Sequence, residues 1–430
     1  TGWGMTDEAS KAEFEAYLRR LADAGVEIIE PASAPELARY EALTVAANAV
    51  LVAVAATRVL DTFGVARSAA SELLVLGAIT LPTLYLSVGS FDTVQRAMRW
   101  RDALEAAGWP HPPGEGPILP LLVGADADVL ALQQRLEQAI DALAAEGRPQ
   151  LRRDLSVTWL VYDRPLRQRG AAASDAAGFW REPVRGASWQ GEQARYPASV
   201  VKLLYAVAAE AWLQRQLIDD GPELRRALAD MIRDSSNDAT GLVVDLLTGT
   251  ASGPELPPPV LERWSRQRQL INRWFAALNW PEWAGCNACQ KTWGDGPYGR
   301  ERQSYGVELE NRNRLSTDLT ARVLHAVMAG AMVSPPADAR LQELLARSLD
   351  PAVRAADPEN QVDGFLGGGL PEGAALWSKA GWMSQARHDA AYIEPPEGAP
   401  FLLVAFSEGP SCAADEALLP ELCRLLAETD

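Results

Sequence analysis

The sequence predicts an α+β fold in which antiparallel strands are flanked by helices from both ends of the chain. Residues 376–382, 387–393 and 401–406 are three short segments with the pattern of strands, separated by turns, which is typical of a strand meander. Much earlier in the chain, residues 155–162 show the alternation of side chains that is typical of a strand. Helical patterns precede the first of these strands and follow the last, so we expect helices to pack against the sheet.

Most of the remaining pattern is helical. Apolar residues recur with the spacing of one helix face from about Asp126 to Glu146. Residues 248–259 are rich in Gly and Pro and predict a loop, whereas 260–295 predict a tryptophan-rich helix and loop. Further helices are expected from Ser199 to about Trp212, from about Pro222, after an N-cap at Ser316 or Thr317, and over 413–428.

The length of 430 residues exceeds that of one ordinary domain. A content of 48% hydrophobic and 23% charged residues indicates a folded protein. Residues 109–117 are rich in Pro and Gly and have the composition of a linker. We therefore expect a helical N-terminal domain over 1–120 and a second domain over 121–430.

Two uncharged stretches of the N-terminal domain, residues 42–57 and 73–91, raise the question of a membrane hairpin. A bilayer span needs about 20 apolar residues. The first stretch is shorter than that, and the second contains Pro82. Buried core helices explain both stretches better, and we expect no membrane partner.

The net charge of −17 argues against a nucleic-acid partner, because no Lys- or Arg-rich run could neutralise a phosphate backbone. No basic segment followed by an apolar one marks a secretory signal. Residues 1–4 resemble a cloning remnant before Met5, and a start at Met5 predicts a cytoplasmic protein. A leader that has been trimmed away is the alternative.

Four cysteines are too few for a disulfide scaffold. Cys286 and Cys289 form a Cys-x-x-Cys pair that suits half a zinc site or a redox pair. Cys412 and Cys423 lack metal-ligand spacing. Free thiols or one local disulfide therefore explain the cysteines better, and we predict neither a metal nor a cofactor.

The most informative motif is Ser199-x-x-Lys202 at the start of an apolar, Ala-rich helix. Residues three apart share a face of the first helical turn, so the lysine amine can take the serine proton. This is the arrangement of an activated nucleophile. The motif alone is weak evidence, because a serine at a helix start is usually only an N-cap.

Two later motifs change that assessment. Ser235-Ser236-Asn237 and Lys379-Ala380-Gly381 follow Ser199-x-x-Lys202 in the order of the Ser-x-x-Lys, Ser-x-Asn and Lys-Thr-Gly motifs. Over about residues 125–430 the chain therefore resembles class A β-lactamases and penicillin-binding proteins. The resemblance implies a β-lactamase/transpeptidase-like fold.

The resemblance also implies roles for individual residues. Ser199 would be the nucleophile that forms an acyl-enzyme, with Lys202 as its base. Lys379 would help to lower the pKa of Lys202, since a second cation disfavours protonation. Ser235 would pass a proton to the leaving nitrogen, and Asn237 would position a substrate amide. Each of these three residues also has a plain structural explanation. Ser235 and Asn237 could cap a helix, and Lys379 could be a solvated strand residue.

The third motif carries the remaining substrate contacts. The N–H groups of Ser199 and Trp382, the residue after Gly381, would form the oxyanion hole. Ala380 replaces the usual threonine or serine and removes a hydroxyl that in the family contacts the substrate carboxylate. Arg387 could supply a compensating charge if its side chain points into the cleft.

The deacylating base is the least defined residue, because the glutamate signature of β-lactamases is absent. Glu301 lies at about the right distance before Ser316, and Glu308 and Glu310 are the alternatives. Without a positioned water the acyl-enzyme would persist or pass to another acceptor, as in transpeptidases.

These observations predict a serine hydrolase or acyltransferase that acts on an amide or ester bond of a small-molecule or peptide-like substrate. The alternative is a non-catalytic binding or scaffold protein that retains the fold. A Ser-His-Asp enzyme is disfavoured because no Gly-x-Ser-x-Gly segment is present. We expect His388, one of three histidines, to be a packing or hydrogen-bonding residue of its strand.

Overall fold

The computed structural model describes residues 127–169, 179–180 and 184–427. The predicted N-terminal domain over 1–120, with its two apolar stretches, lies outside the described residues. Residues 127–255 and 264–427 belong to one compact unit.

A six-stranded sheet organises this unit. Its order is β2-β1-β6-β5-β4-β3, and every neighbouring pair is antiparallel. The strands are β1 (Leu155–Val161), β2 (Arg185–Trp189), β3 (Ala346–Arg347), β4 (Ala375–Met383), β5 (Ala386–Glu394) and β6 (Phe401–Glu408). The four strands predicted from the sequence are confirmed as β1, β4, β5 and β6, and the short edge strands β2 and β3 were not predicted.

Helices surround the sheet, and most of the predicted ones are confirmed to within a few residues. They are α1 (Ala127–Ala145), α2 (Leu151–Asp154), α3 (Leu166–Arg169), α4 (Val201–Gln214), α5 (Pro222–Arg233), α6 (Asn237–Thr248), α7 (Pro258–Arg268), α8 (Leu270–Ala277), α9 (Gly299–Tyr305), α10 (Thr317–Met328), α11 (Pro335–Leu345), α12 (Pro351–Ala356), α13 (Pro410–Ala414) and α14 (Leu418–Ala427).

The two faces of the sheet carry different layers. Helices α1 and α14 cover one face, where Leu136, Trp159, Leu403 and Leu422 join one apolar cluster. Helix α10 packs against the other face, on β1, β5 and β6. Because side chains alternate along a strand, the residues of β4 and β5 divide between these two layers.

The ends of two helices follow from local hydrogen bonds. Ser316 is the N-cap of α10, because its side chain accepts from the N–H of Leu319 at 3.1 Å, as one of the two predicted caps. The C-terminal segment is two helices instead of the single one predicted over 413–428. Asp415 separates them, since its carboxylate accepts from the N–H groups of Ala417 and Leu418 and begins α14.

Within the described ranges, no helix combines the length and apolar character that a bilayer span requires. All four cysteines are free thiols, and Cys289 and Cys423 are buried. No group of three or more His, Cys, Asp and Glu side chains in this part of the chain could hold a metal ion.

His388 is fully buried in β5 and joins the sheet to the segment that precedes Ser199. The N–H of Ser407 donates to its Nδ1 at 3.0 Å. Nε2 therefore carries the proton and donates to the carbonyl of Tyr196 at 2.8 Å. This hydrogen-bonding role is the one expected from the sequence.

Acid should destabilise the protein through His388. Burial lowers the pKa of His388 from 6.5 to about 4, so the unfolded chain binds this proton first as the pH falls from 6.5 to 4. At pH 5 this effect lowers the free energy of unfolding by about 2 kcal/mol relative to pH 8. The effect should vanish in His388→Gln, whose amide can still donate to Tyr196.

Urea unfolding of both proteins at pH 8 and pH 5 measures this difference. Burial raises the pKa values of Asp338 and Asp389, so acidification stabilises the folded protein through these two carboxyl groups. This contribution is opposite in sign to that of His388 and equal in the two proteins. The change in the free energy of unfolding from pH 8 to pH 5 should therefore be about 2 kcal/mol less favourable in the wild type than in the variant. Equal changes in the two proteins would contradict the assignment.

Candidate active site

Ser199 lies in the short 3-10 turn Ala198–Val200, directly before the buried helix α4, and is itself half-buried. Ala198 has a φ of 45°, in a region that residues other than glycine rarely adopt. Among the described residues, no hydrogen bond engages Ser199 Oγ. The hydroxyl is therefore free to meet a substrate.

Lys202 follows one turn later and is fully buried in α4. Its Nζ lies 3.2 Å from Ser235 Oγ and 2.9 Å from Asn237 Oδ1, and also donates to the carbonyl of Ser235. Burial lowers the pKa of Lys202 to about 7, so a large fraction of the amine is unprotonated at neutral pH. Lys202 makes no hydrogen bond with Ser199, so proton transfer between them requires a rotation of a side chain.

Ser235 occupies the centre of the site, in the turn between α5 and α6 with a φ of 56°. Its Oγ lies 3.2 Å from the amine of Lys202 and 3.1 Å from that of Lys379. A hydroxyl has one proton and two lone pairs. When both lone pairs accept from the lysines, the proton of Ser235 is left to be donated to another group.

Lys379 reaches this hydroxyl from β4 and is fully buried. Its Nζ also donates to Ala380 O at 2.7 Å and to Gln361 Oε1. Burial is the main reason why the pKa of Lys379 lies well below its ordinary value, and the cations of Arg347 and Lys202 add to the effect. Lys202 thus disfavours protonation of Lys379, whereas the low pKa of Lys202 itself is caused by burial, and the expected effect of Lys379 on it is not among its causes.

Gln361 and Arg347 are two buried polar residues that the sequence analysis missed. The amide of Gln361 donates to Ile232 O at 3.1 Å and to Arg233 O, while its oxygen accepts from Lys379 and from the Ala380 N–H. Gln361 thereby joins the end of α5, just before Ser235, to β4.

Arg347 makes the same connection. Its guanidinium donates to Ser378 O at 3.0 Å and to Ile232 O at 2.7 Å. Neither Gln361 nor Arg347 belongs to a short motif, so only their contacts identify them.

Gly381 allows β4 to approach the turn of Ser199. A Cβ at this position would lie 2.9 Å from the Ser199 nitrogen and 2.9 Å from Pro197 O, which is closer than real contacts. The glycine of the third motif is therefore required by this close approach of two backbones. Lys379 lies on the same face of β4, two residues earlier.

The oxyanion hole stays a prediction, and the structure gives only the direction of one of its two N–H groups. The N–H of Ala380 donates to Gln361, on the edge of β4 that faces away from β5. N–H directions alternate along a strand, so the N–H of Trp382 points to this same edge. The turn of Ser199 lies over the face of β4 that carries Gly381. The indole of Trp382 is 59% exposed and donates to Ala413 O at 3.0 Å.

Arg387 lies away from the position expected of a substrate ligand. It is opposite Trp382 in the β4–β5 register, so its side chain is on the face of the sheet opposite to Lys379. Its guanidinium is 5% exposed and donates to Ala413 O, Gly364 O and Glu416. Arg387 holds these segments on the sheet. Its charge therefore does not compensate for the hydroxyl that Ala380 lacks.

Glu301 is fully buried in α9, in a charged cluster that shares no hydrogen bond with Ser199, Lys202 or Ser235 among the described residues. Its Oε1 accepts from Arg268 and, at 2.8 Å, from Ser252. Its part in deacylation stays a prediction.

The alternatives Glu308 and Glu310 are exposed, in the turn that follows α9.

Sequence comparison connects this geometry with known proteins. The chain matches the model of Beta-lactamase2, the beta-lactamase enzyme family, over residues 213–429. The match includes Ser235, Asn237 and Lys379, and it begins after Ser199 and Lys202. The chain belongs to the beta-lactamase enzyme family. The predicted β-lactamase-like fold is thereby confirmed, together with a hydrolase activity of the general serine β-lactamase type.

Several solved structures are similar to this member of the beta-lactamase enzyme family. PBP-A has 16% sequence identity and a TM-score of 0.44, covering 69% of this chain and 95% of that chain. A β-lactamase from Chitinophaga pinensis has 15% identity and a TM-score of 0.45, covering 68% and 96%. One from Sphaerobacter thermophilus has 18% identity and a TM-score of 0.44, covering 68% and 95%. Comparison with curated proteins found no match.

Lysine is rare in this β-lactamase-family chain, with four lysines among 40 Lys and Arg residues. Three of the four are described, namely Lys202, Lys291 and Lys379, and none is more than 6% exposed. Burial lowers the pKa values of Lys202 and Lys379, whereas a guanidinium stays charged. This contrast with the many arginines is a sequence signal that could have drawn attention to Lys291.

Replacing Gln361 by glutamate should raise the pKa of Lys379. A carboxylate would take the place of the neutral amide oxygen that now accepts from the amine, and an opposite charge favours protonation. Gln361→Leu, which offers no acceptor, should leave the pKa low. NMR titration of lysine-labelled protein measures this directly because only four lysines contribute.

The Lys379→Arg variant assigns the signal. An unchanged pKa in the glutamate variant would show that residue 361 does not contact this amine in solution.

Proposed function

We propose that the protein is a serine hydrolase that cleaves an amide or ester bond through an acyl-enzyme on Ser199. The observation that carries this proposal is the hydroxyl of Ser235, held between the amines of Lys202 and Lys379 beside the turn of Ser199. A hydroxyl held between two buried amines can relay a proton. Two solvated lysines with a structural role would not need such a shared hydroxyl.

The proposed reaction begins when Lys202, in its neutral form, takes the proton of Ser199. Ser199 Oγ attacks the substrate carbonyl, and the developing oxyanion accepts from the N–H groups of Ser199 and Trp382. The proton then passes from Lys202 through Ser235 to the leaving group. The acyl-enzyme remains, and water or another acceptor releases the acyl group.

Three features define the substrate side of the cleft. Asn237 is exposed while its Oδ1 accepts from Lys202, so its amide nitrogen can meet a substrate carbonyl. Ala380 offers no hydroxyl, and Arg387 is held on the opposite face of the sheet. A substrate carboxylate is therefore not a requirement of the proposed site, and β-lactams are one class among peptide-like amides and esters.

Covalent labelling tests the proposal. Incubation with benzylpenicillin, p-nitrophenyl acetate or a fluorophosphonate should add the mass of one acyl or phosphonyl group to the intact protein. The adduct should be absent in Ser199→Ala, and peptide mapping should place it on Ser199. Ser188→Ala, which changes another half-buried serine, is the matched control and should still be labelled.

The lifetime of the adduct separates hydrolysis from persistent acylation. A folded protein that none of the three reagents labels at Ser199 would overturn the proposal in favour of a binding protein with this fold.

The rate of acylation should depend on pH through Lys202. Because the base must be neutral and burial holds the pKa of Lys202 at about 7, the rate should rise with pH and level off above pH 7. In Lys202→Arg, which stays protonated, acylation should be about 100-fold slower or more.

The measurement is the rate of adduct formation between pH 5 and 9. Burial also places the pKa of Asp389 at about 7, so the profile of Asp389→Asn is the control. An inflection that disappears in Asp389→Asn would assign the dependence to that carboxyl group instead of Lys202.

A further inference from the structure

A cavity of about 290 Å³ opens beside Asn237 and plays no part in the mechanism proposed above. One wall is a face of α6, and the other is the segment 291–294. The lining residues are Asn237, Asp238, Gly241, Leu242, Asp245 and Lys291–Gly294. Since Asn237 also contacts Lys202, the cavity adjoins the catalytic lysine.

The charges of the cavity do not cancel. Lys291 Nζ donates to Asp245 Oδ2 at 2.6 Å and to Ser252 Oγ at 2.7 Å, and behind it Arg268 pairs with Glu301. These two cations and two anions neutralise one another. Asp238 is left over, exposed at the mouth, and no cation of the described residues pairs with it. The cavity therefore carries one uncompensated negative charge.

Two buried oxygen atoms of the lining also lack hydrogen-bond partners. Thr292 is 7% exposed, and its Oγ1 has no partner. Asp245 Oδ1 lies 3.3 Å from Arg268 Nη2 but accepts no hydrogen bond. Buried polar atoms are normally satisfied, so these two atoms of lining residues can accept from a ligand that brings donors once a side chain rotates toward the cavity.

The remaining lining is apolar. Trp293 and Leu242 are 39% and 36% exposed, so both leave apolar surface open to a ligand in the cavity. At Gly241 a Cβ would lie 3.8 Å from the Lys291 side chain, which is an ordinary contact, so the glycine leaves the space of one methyl group between the two walls. A ligand with an apolar body can pack on the indole, and a cationic group on it would gain attraction to the ring as well as to Asp238.

We propose that this cavity binds a protonated amine carried by an aromatic or alkyl group on the acyl side of the substrate. The ammonium donates to Asp238, Asp245 Oδ1 or Thr292 Oγ1, and the apolar part packs on Trp293. This inference rests on the proposed function, since it assigns the cavity to the acyl group that Ser199 would receive. It predicts that the enzyme prefers substrates with a free amino group at that position.

Binding without chemistry is the first test. Phenethylamine and phenylacetate have similar apolar bodies and opposite charges. Titrated into the full chain and followed by the NMR signal of the Trp293 indole, assigned with Trp293→Phe, the amine should bind and the acid should not. Asp238→Asn should weaken amine binding about tenfold, as expected for the loss of a charge-assisted hydrogen bond. Asp295→Asn, which removes a nearby exposed charge outside the lining, should leave binding unchanged.

Thr292→Val supplies a second variant. Removal of an unpartnered buried hydroxyl should leave the melting temperature unchanged or raise it, while amine binding weakens. Binding that is equal for amine and acid, absent for both, or unaffected by Asp238→Asn would overturn the proposal.

Acylation is the second test. Ampicillin differs from benzylpenicillin by one amino group on the acyl side chain, and it should acylate Ser199 several times faster in the wild type but not in Asp238→Asn. Equal rates in the wild type would overturn the inference and leave the proposed function intact. If the cavity binds the amine but no reagent acylates Ser199, the proposed function would be overturned. The cavity would then be an amine-binding site in a protein that is not a serine hydrolase.

Discussion

The proposed active site depends on two buried lysine amines that share one hydroxyl group. Ammonium ions are costly to bury, and two of them close together are more costly still. The fold meets this cost by surrounding Lys202 and Lys379 with oxygen acceptors from Ser235, Asn237, Gln361 and the backbone. Burial does the rest, because it lowers both pKa values and favours neutral amines. Burial, which makes an amine unfavourable in an ordinary core, is thus the property on which the proposed base depends.

The sheet and the helices bring these groups together from distant parts of the chain. Lys202 comes from α4, Ser235 from the turn before α6, and Lys379 from β4. Gln361 and Arg347 join the last two by bonding to carbonyl groups at the end of α5. Gly381 allows the strand to lie against the turn of Ser199. Small errors in any of these contacts would move the shared hydroxyl out of reach of one amine.

Much of this could be predicted from the sequence because motifs and periodicity are local. The alternation of β4, β5 and β6, the cap at Ser316 and the order of the three motifs needed no knowledge of tertiary contacts. Gln361 was missed because its role arises only when a loop residue meets two elements that are remote in sequence.

The position of Arg387 could not be decided from alternation alone. The register of the β4–β5 hairpin places it opposite Trp382 and hence on the far face from Lys379. Glu301 illustrates another limit, since spacing suggested a water-activating carboxylate and the structure adds an ion pair with Arg268.

The distribution of basic residues has a consequence for how the molecule responds to alkaline solution. Nearly all of its positive charge resides on guanidinium groups, which stay charged at any pH that a folded protein survives. The lysines of the described chain are interior. In the described part of the chain the cationic exterior is thus fixed, and the two amines whose pKa values burial lowers, Lys202 and Lys379, meet at Ser235 in the cleft. Raising the pH would switch the chemistry of the interior while the outer surface keeps its colloidal character.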